Sequence, residues 1–292
     1  MAAVSPDIVT TDAPGKVNLF LRVLSARDDG YHDLESLVVP ISIADTVTVS
    51  PDDRLHVVTN GSARLAREVP AGGLNLALMA ALALADACPG AGGARIEIDK
   101  RIPVAAGLGG GSADAAATLL ALNELWGCRL DLGTLADIGE RIGSDVPAML
   151  MRGPVLMSGR GELLAPADVA TLWMVVVDLG FGVRSPDAYR WWDEDGGAPG
   201  PDPGPLLEAA AAGDVDTLGG LLFNDLEAPV VRRHPEIGET RRALLRAGAL
   251  GAVMIGSGSS VLGLGRDRAH AEELADGFED AVVASGPAVE RG

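Results

Sequence analysis

Basic residues are scarce in this chain. Lys and Arg number 23 against 41 Asp and Glu, a formal net charge of −18. A general nucleic-acid or anionic-membrane surface needs a basic face and is therefore not expected. A nucleotide ligand is not excluded, because backbone N–H groups and one or two cations bind phosphate inside acidic proteins too. Cysteine is nearly absent. Cys88 and Cys128 stand alone, with no C-x-x-C spacing and no histidine at metal-ligand distance. They read as two reduced, buried thiols of a cytoplasmic protein. The longest apolar run, "LNLALMAALALADAC", is about 15 residues with Asn75 and Asp86 inside it, too short and interrupted to span a bilayer. The opening "MAAVSPDIVTTDAPGK" lacks the basic, apolar and small-residue order of a signal peptide. There is no repeat of fixed period.

What is present is enough apolar material for real cores: 48% of 292 residues, a length that suits two modest domains. The first third alternates short β-type runs with turns ("IVTTDAP", "VNLFLRVLS", "LESLVVPI", "DTVTVSP", "RLHVVTN") and predicts antiparallel strands. A helix over Leu74 to Ala87, the strand "ARIEIDKR" and a helix running to about Leu125 follow. "DLGTLADIGERIG" predicts a further helix with Asp131 as N-cap and Gly143 as C-cap. After "PVLMSG" and "WMVVVDLG", the segment Gly196 to Pro205 reads as a breaker-rich loop. The remainder mixes helices with the two-strand segment "GAVMIGSGSSVLGLG" and a last strand "AVVAS". This order predicts two α+β domains, 1–165 and 166–292.

The most informative stretch is "RIPVAAGLGGGSADAAATLLALNELW", Arg101 to Trp126, with four glycines directly against a good helix. The P-loop pattern fails, because the only Gly-Lys pair, Gly15-Lys16, is followed by Val17. The dinucleotide fingerprint fails as well, because Pro103 and small residues separate the strand from the glycines. A helix N-terminus used as an anion site fits better. Gly109, Gly110 and Gly111 let backbone approach phosphate oxygens, Ser112 adds a hydroxyl, and the helix adds free N–H groups and its dipole. A flexible strand–helix linker is the competing reading.

Three blocks in this order, "APGKVNLFLRVLSARDDGYHDLESLVVPI", "PVAAGLGGGSADAA" and "IGSGSSVLGL", resemble the GHMP kinases, the family of galactokinase, homoserine kinase and mevalonate kinase. "APGKVNLFL" joined to "DGYH", with "GSDVPAML", resembles the branch that phosphorylates cytidylylated methylerythritol. The resemblance implies the α+β two-domain GHMP kinase fold: a ribosomal protein S5 domain 2-like N-terminal domain that binds ATP and a ferredoxin-like C-terminal domain. Ile255 stands where the family usually has Ser or Thr, and Ser259-Ser260 replaces a common Pro-Thr-type pair, so a hydroxyl contact from that loop is not assured.

The resemblance also implies roles. Lys16 and Asp145 are the catalytic pair, the lysine polarising the acceptor hydroxyl and the aspartate orienting or deprotonating it. ATP would be cradled by Pro103, Val104, Ala105, Ala106, Gly107, Leu108, Gly109, Gly110, Gly111, Ser112 and Ala113, with Asn75 and Lys100 near the nucleotide. Asn75 also reads as a helix N-terminal polar residue, and Lys100 as a solvated strand-end lysine. Asn18, Tyr31 and His32 would recognise the cytosine, with Tyr189 closing its other face and Gly256 and Gly258 keeping the C-terminal turn. Tyr189 also reads as a helix residue packed beside Trp191 and Trp192. Mg²⁺ is expected with ATP. No carboxylate cluster marks its site, and Ser112 is a candidate ligand beside phosphates and water. The expected partner is the small-molecule substrate, with no nucleic acid and no membrane. A homoserine- or mevalonate-type kinase, or a non-catalytic nucleotide-binding protein on the same fold, are the alternatives. Asn18 with Tyr31-His32 argues against the former, and retention of both Lys16 and Asp145 against the latter.

Overall fold

The computed structural model describes residues 7–61, 75–104 and 106–288. Cradle residue Ala105 and the expected helix start Leu74 lie outside them. The chain folds as two compact units.

The first unit holds the described residues of Met1–Gly15, Ile43–Val104 and Gly109–Arg152. It takes the first part of β1 (Val9–Ala26) and the last part of β2 (His32–Pro51), with β3 (His56–Gly61) and β4 (Ala94–Lys100). β4 pairs antiparallel with β2, from Thr46↔Asp99 to Pro51↔Ala94, and parallel with β3. Val47, Val49, Ile96 and Ile98 are buried at alternate positions, the period-two signature of a sheet with one packed face. Among the described residues four helices belong to this unit: α1 (Leu76–Ala87), α2 (Gly110–Leu125), α3 (Leu132–Glu140) and α4 (Val146–Leu150). α1 and α2 pack together and bury Ala77, Ala80, Ala81, Ala113, Ala116 and Ala117. Side chains this short allow close interaxial approach.

That packing overturns the reading of the cysteines. Cys88, the C-cap of α1, and Cys128, just beyond α2, form a disulfide with Cα atoms 5.5 Å apart. Cys88 is buried and Cys128 half-buried. The helix pair brings together two residues whose separation of 40 carries no motif. At α3, Asp131 is the N-cap, accepting from Thr134 N at 2.8 Å. The helix ends at Glu140 with Arg141, not Gly143, as its C-cap, and beyond it Ile142 and Gly143 both donate back to Gly139 O.

The second unit holds the described residues of Lys16–Ser42, Ala105–Leu108 and Gly153–Gly292. Here β2 pairs antiparallel with β5 (Val155–Gly159), which pairs with β6 (Leu163–Pro166). β1 pairs parallel with the short β8 (Phe223–Asn224) at Phe20↔Phe223 and Leu21↔Asn224. A second, fully antiparallel sheet runs β11 (Ala281–Gly286), β7 (Leu172–Val177), β10 (Val261–Gly265), β9 (Gly251–Met254). α9 (Pro235–Arg246) and α10 (Arg268–Ala275) pack on it. Val175, Val177, Ile237, Leu244, Met254 and Val261 form the core, with Leu21 and Val23 of β1. α5 (Ser185–Glu194), α6 (Gly204–Ala212), α7 (Val215–Leu221) and α8 (Glu227–Arg233) complete the unit. α6 starts inside the expected loop, with Pro205 in its first turn, where the missing N–H of proline does no harm.

β1 and β2 are each one strand where two are expected. Pro14-Gly15 and Pro40 look like turns, but they lie at or within two residues of the points where each strand passes from one unit to the other, Gly15 to Lys16 and Ser42 to Ile43. The flanking residues, Ala13, Val17, Val39 and Ile41, are almost fully buried, so tertiary burial overrides the local breakers.

Candidate active site

Lys16 opens the part of β1 that belongs to the second unit. Its side chain is buried, and Nζ donates to Asn18 Oδ1 at 2.9 Å and to Gly107 O at 2.8 Å, while its backbone N donates to Leu108 O. Lys16 and Asn18 share one side of the strand by period two. Asn18 Nδ2 donates to Ser36 Oγ at 2.8 Å, and Ser36 donates on to Phe20 O. The lysine is thus aimed by a chain of directional bonds. Gly107 sits at φ +80° and a Cβ there would lie 2.5 Å from Ile255 O, so only glycine fits. The β9–β10 turn closes on the same group: Gly256, at φ +56°, comes so near that an added Cβ would be 3.2 Å from Lys16 Nζ. Gly258, at φ +96°, completes the turn.

Asn224 on β8 holds that turn. Its Nδ2 donates to both Met254 O and Gly256 O at 2.8 Å, and its Oδ1 accepts from Leu226 N. No motif in the sequence points to Asn224 or Ser36; a buried polar residue inside an apolar run is the only signal. Two hydroxyls of the turn face the protein backbone: Ser257 Oγ donates to Val183 O at 3.0 Å and Ser259 Oγ donates to Phe181 O.

Around the start of β2, His32 stacks on Tyr189 at 5.0 Å between centroids and meets the edge of Trp192 at 5.8 Å. His32 Nε2 is 2.9 Å from Asp193 Oδ1. Tyr189 therefore lies on the helix α5 and against a ring of the expected site at once. Tyr31 is 58% exposed, with the Arg160 guanidinium 5.1 Å from its ring centroid. An exposed aromatic ring beside a stacked imidazole and phenol is the kind of surface that holds a planar heterocycle.

In the first unit, α2 begins at Gly110 with Gly109 as N-cap at φ +69° and no side-chain cap bond. Its first-turn N–H groups have no intrahelical acceptor. Ser112 Oγ borders Gly143, where an added Cβ would be 3.6 Å away. Two residues on, half-buried Asp145 is the N-cap of α4 without a side-chain cap bond, and Pro147 constrains the first turn. Asn75 is the N-cap of α1, its Oδ1 accepting from Leu78 N at 3.2 Å.

Lys100 is not a solvated strand end. Its buried ammonium donates to Asp45 Oδ2 and, at 2.8 Å, to Asp114 Oδ2. Burial alone would lower its pKa, but Asp114 and Asp45 outweigh that and raise it. Burial pushes Asp114 up to about 7 against the pull of Lys100. Neither Asp45 nor Asp114 stands out in the sequence, where each is one acid among many.

The family profile for the GHMP kinases N terminal domain matches residues 75–153, and the GHMP kinases C terminal profile matches 206–284. The chain is 45% identical over 256 residues to the 4-diphosphocytidyl-2-C-methyl-D-erythritol kinase of Symbiobacterium thermophilum, covering 87% of this chain and 89% of that protein. It is 42% identical to the enzyme of the same name from Moorella thermoacetica, covering 94% and 96%. Among solved structures, a 4-(cytidine 5'-diphospho)-2C-methyl-D-erythritol kinase superposes with a TM-score of 0.82 at 35% identity, covering 96% of this chain and all of the other. A homoserine kinase from Cytophaga hutchinsonii superposes at 0.72 with 20% identity, a likeness of fold.

Proposed function

This chain belongs to the GHMP kinase family, and on that premise we propose that it transfers the γ-phosphoryl group of ATP to the 2-hydroxyl of 4-diphosphocytidyl-2-C-methyl-D-erythritol in the non-mevalonate isoprenoid pathway. The observation that carries the choice of acceptor is the aromatic set at the start of β2, exposed Tyr31 with His32 stacked on Tyr189. An acceptor without a base, such as homoserine or mevalonate, has no use for it.

In this reading the first turn of α2 binds the triphosphate through its N–H groups and the Ser112 hydroxyl, and Asn75 and Lys100 lie on the nucleotide side. Asp145 orients the acceptor hydroxyl and takes its proton as the new O–P bond forms. The ammonium of Lys16, held by Asn18 and Gly107 O, stabilises the charge that develops on the acceptor oxygen. Tyr31, His32, Asn18 and Tyr189 bind the cytidylyl group, and Gly256 and Gly258 keep the turn close enough to shape that site. Mg²⁺, where bound with ATP, neutralises phosphate charge. Ser112 supplies a single hard oxygen, and no group of three metal-ligating side chains occurs among the described residues, a donor set that suits an ion held chiefly by phosphates and water. The ATP-binding module spans 1–165 and the C-terminal module 166–292. A cytoplasmic location is part of this reading, and among the described residues no helix is long and apolar enough to cross a membrane.

An ADP-release assay with cytidylylated methylerythritol, homoserine and mevalonate tests the reading. Release is expected with the first alone. Release with either of the others instead would reassign the acceptor, and ATP binding without release on any would favour a non-catalytic role.

A further inference from the structure

β4 ends at Lys100, and the chain leaving it is tied to β2. Asp45 Oδ1 accepts from Arg101 N at 2.6 Å and from Ile102 N at 2.9 Å. Its other oxygen accepts from Lys100 Nζ, and the same ammonium bonds Asp114, the fifth residue of α2. Lys100 also lies under the first residue of that helix, since an added Cβ at Gly110 would be 3.4 Å from Nζ and 3.0 Å from Ile102 Cγ2. Two carboxylates share one ammonium, all three side chains are almost fully buried, and Asp114 Oδ1 has no hydrogen-bond partner among the described residues. As a source of stability this is a poor arrangement, because apolar residues of similar volume commonly serve as well or better. What apolar residues cannot supply is direction: four bonds that allow one placement of the helix start relative to β2 and β4.

We propose that Asp45, Lys100 and Asp114 are positioning residues for the phosphate loop, a buried clamp that fixes the N-terminal turn of α2 in the attitude that binds the triphosphate of ATP. The clamp rests on the reading of that turn as the ATP site. Lys100 then serves the nucleotide through α2 and not by reaching it, because its ammonium is already enclosed by the two carboxylates.

The test compares Asp114→Leu, Asp114→Asn and Lys100→Met with the unaltered enzyme. The readouts are calorimetric affinity for a non-hydrolysable ATP analogue, KM for each substrate, and thermal unfolding. Asp114→Leu and Lys100→Met should weaken analogue binding and raise KM for ATP by about 10- to 100-fold, the scale of a misplaced binding group. KM for the cytidylylated acceptor should stay within about twofold, since the clamp does not touch that part of the site. Asp114→Asn, whose amide oxygen still accepts from Lys100, should restore most of the ATP affinity. If Asp114→Leu or Lys100→Met does not fold, Asp114→Ser carries the same comparison, with a side chain too short to reach the ammonium. A fall in melting temperature with ATP affinity unchanged would reduce the cluster to a structural role and overturn the proposal. So would an equal loss for both substrates. Failure of the unaltered enzyme to bind the analogue would overturn the ATP reading itself, which is a separate result.

Discussion

Asp145 and Tyr31 divide chemistry from recognition. Asp145→Asn should bind both substrates and lose turnover by about 10²- to 10⁴-fold, the usual range for a positioned acid–base group; near-normal turnover in a steady-state assay would remove Asp145 from the mechanism. Tyr31→Ala should raise KM for the cytidylylated acceptor and leave KM for ATP unchanged, because in this reading its exposed ring stacks on the base of the acceptor. An equal change in both would place Tyr31 elsewhere. Asp114 adds a pH dependence to stability. Its pKa rises from an ordinary 3.8 to about 7 on folding, chiefly through burial. Between those values the folded chain holds a proton that the unfolded chain has lost, so its stabilising effect is full below the lower value and gone above the higher. Urea unfolding should show the unaltered protein losing stability relative to Asp114→Asn as pH rises from 5 to 7, and a constant difference beyond. A flat difference throughout would show that the carboxyl is ionised across the range. Lys16 and Asn18 were legible because "APGKVNLFL" places both in one short run. The link of Lys100 to Asp45 and Asp114 was not: separations of 55 and 14 residues carry no pattern, and only burial makes them a group.

At the level of elements, the β9–β10 turn depends on a strand of two residues. β8 exists to bring Asn224 beneath the turn, and Asn224→Leu would leave Met254 O and Gly256 O without their donor. Two buried carbonyls left unpaired cost roughly 2–4 kcal/mol, so the urea midpoint should fall with the m-value unchanged, and KM for the acceptor should rise as Gly256 shifts beside Lys16. A midpoint within error of the unaltered protein would show that the turn holds itself. Helix α3 was readable at its start, where Asp131 caps locally, and misread at its end, where the tightened turn depends on the bonds to Gly139. The long strands β1 and β2 were misread for a related reason. Pro14, Gly15 and Pro40 are breakers by propensity, but each lies in a strand whose neighbours are buried.

For the whole molecule the Cys88–Cys128 disulfide is the widest covalent constraint. It closes a loop of 40 residues that contains the phosphate-loop glycines, and loop-closure entropy on that span corresponds to about 4 kcal/mol. Thermal unfolding with and without dithiothreitol should differ accordingly, and the Cys88→Ser/Cys128→Ser variant should match the reduced protein. Equal melting temperatures would mean that the bond does not constrain the unfolded chain. A cytoplasmic setting is reducing, so activity should be measured in both states.

The sequence by itself determined what depends on neighbours along the chain: the glycine-rich approach to a helix N-terminus, the Asp131 cap, and the lysine and asparagine two residues apart on one strand; the kinase family came from the resemblance of three blocks in order. Tertiary structure alone decided the disulfide, the unbroken strands, the Asn224 support and the Asp45–Lys100–Asp114 clamp. The disulfide, the Asn224 support and the clamp join residues that share no local pattern, and the strands run on through local breakers. They meet only because apolar burial of the helices and sheets brings them together, and hydrogen bonds and charge then select the partners.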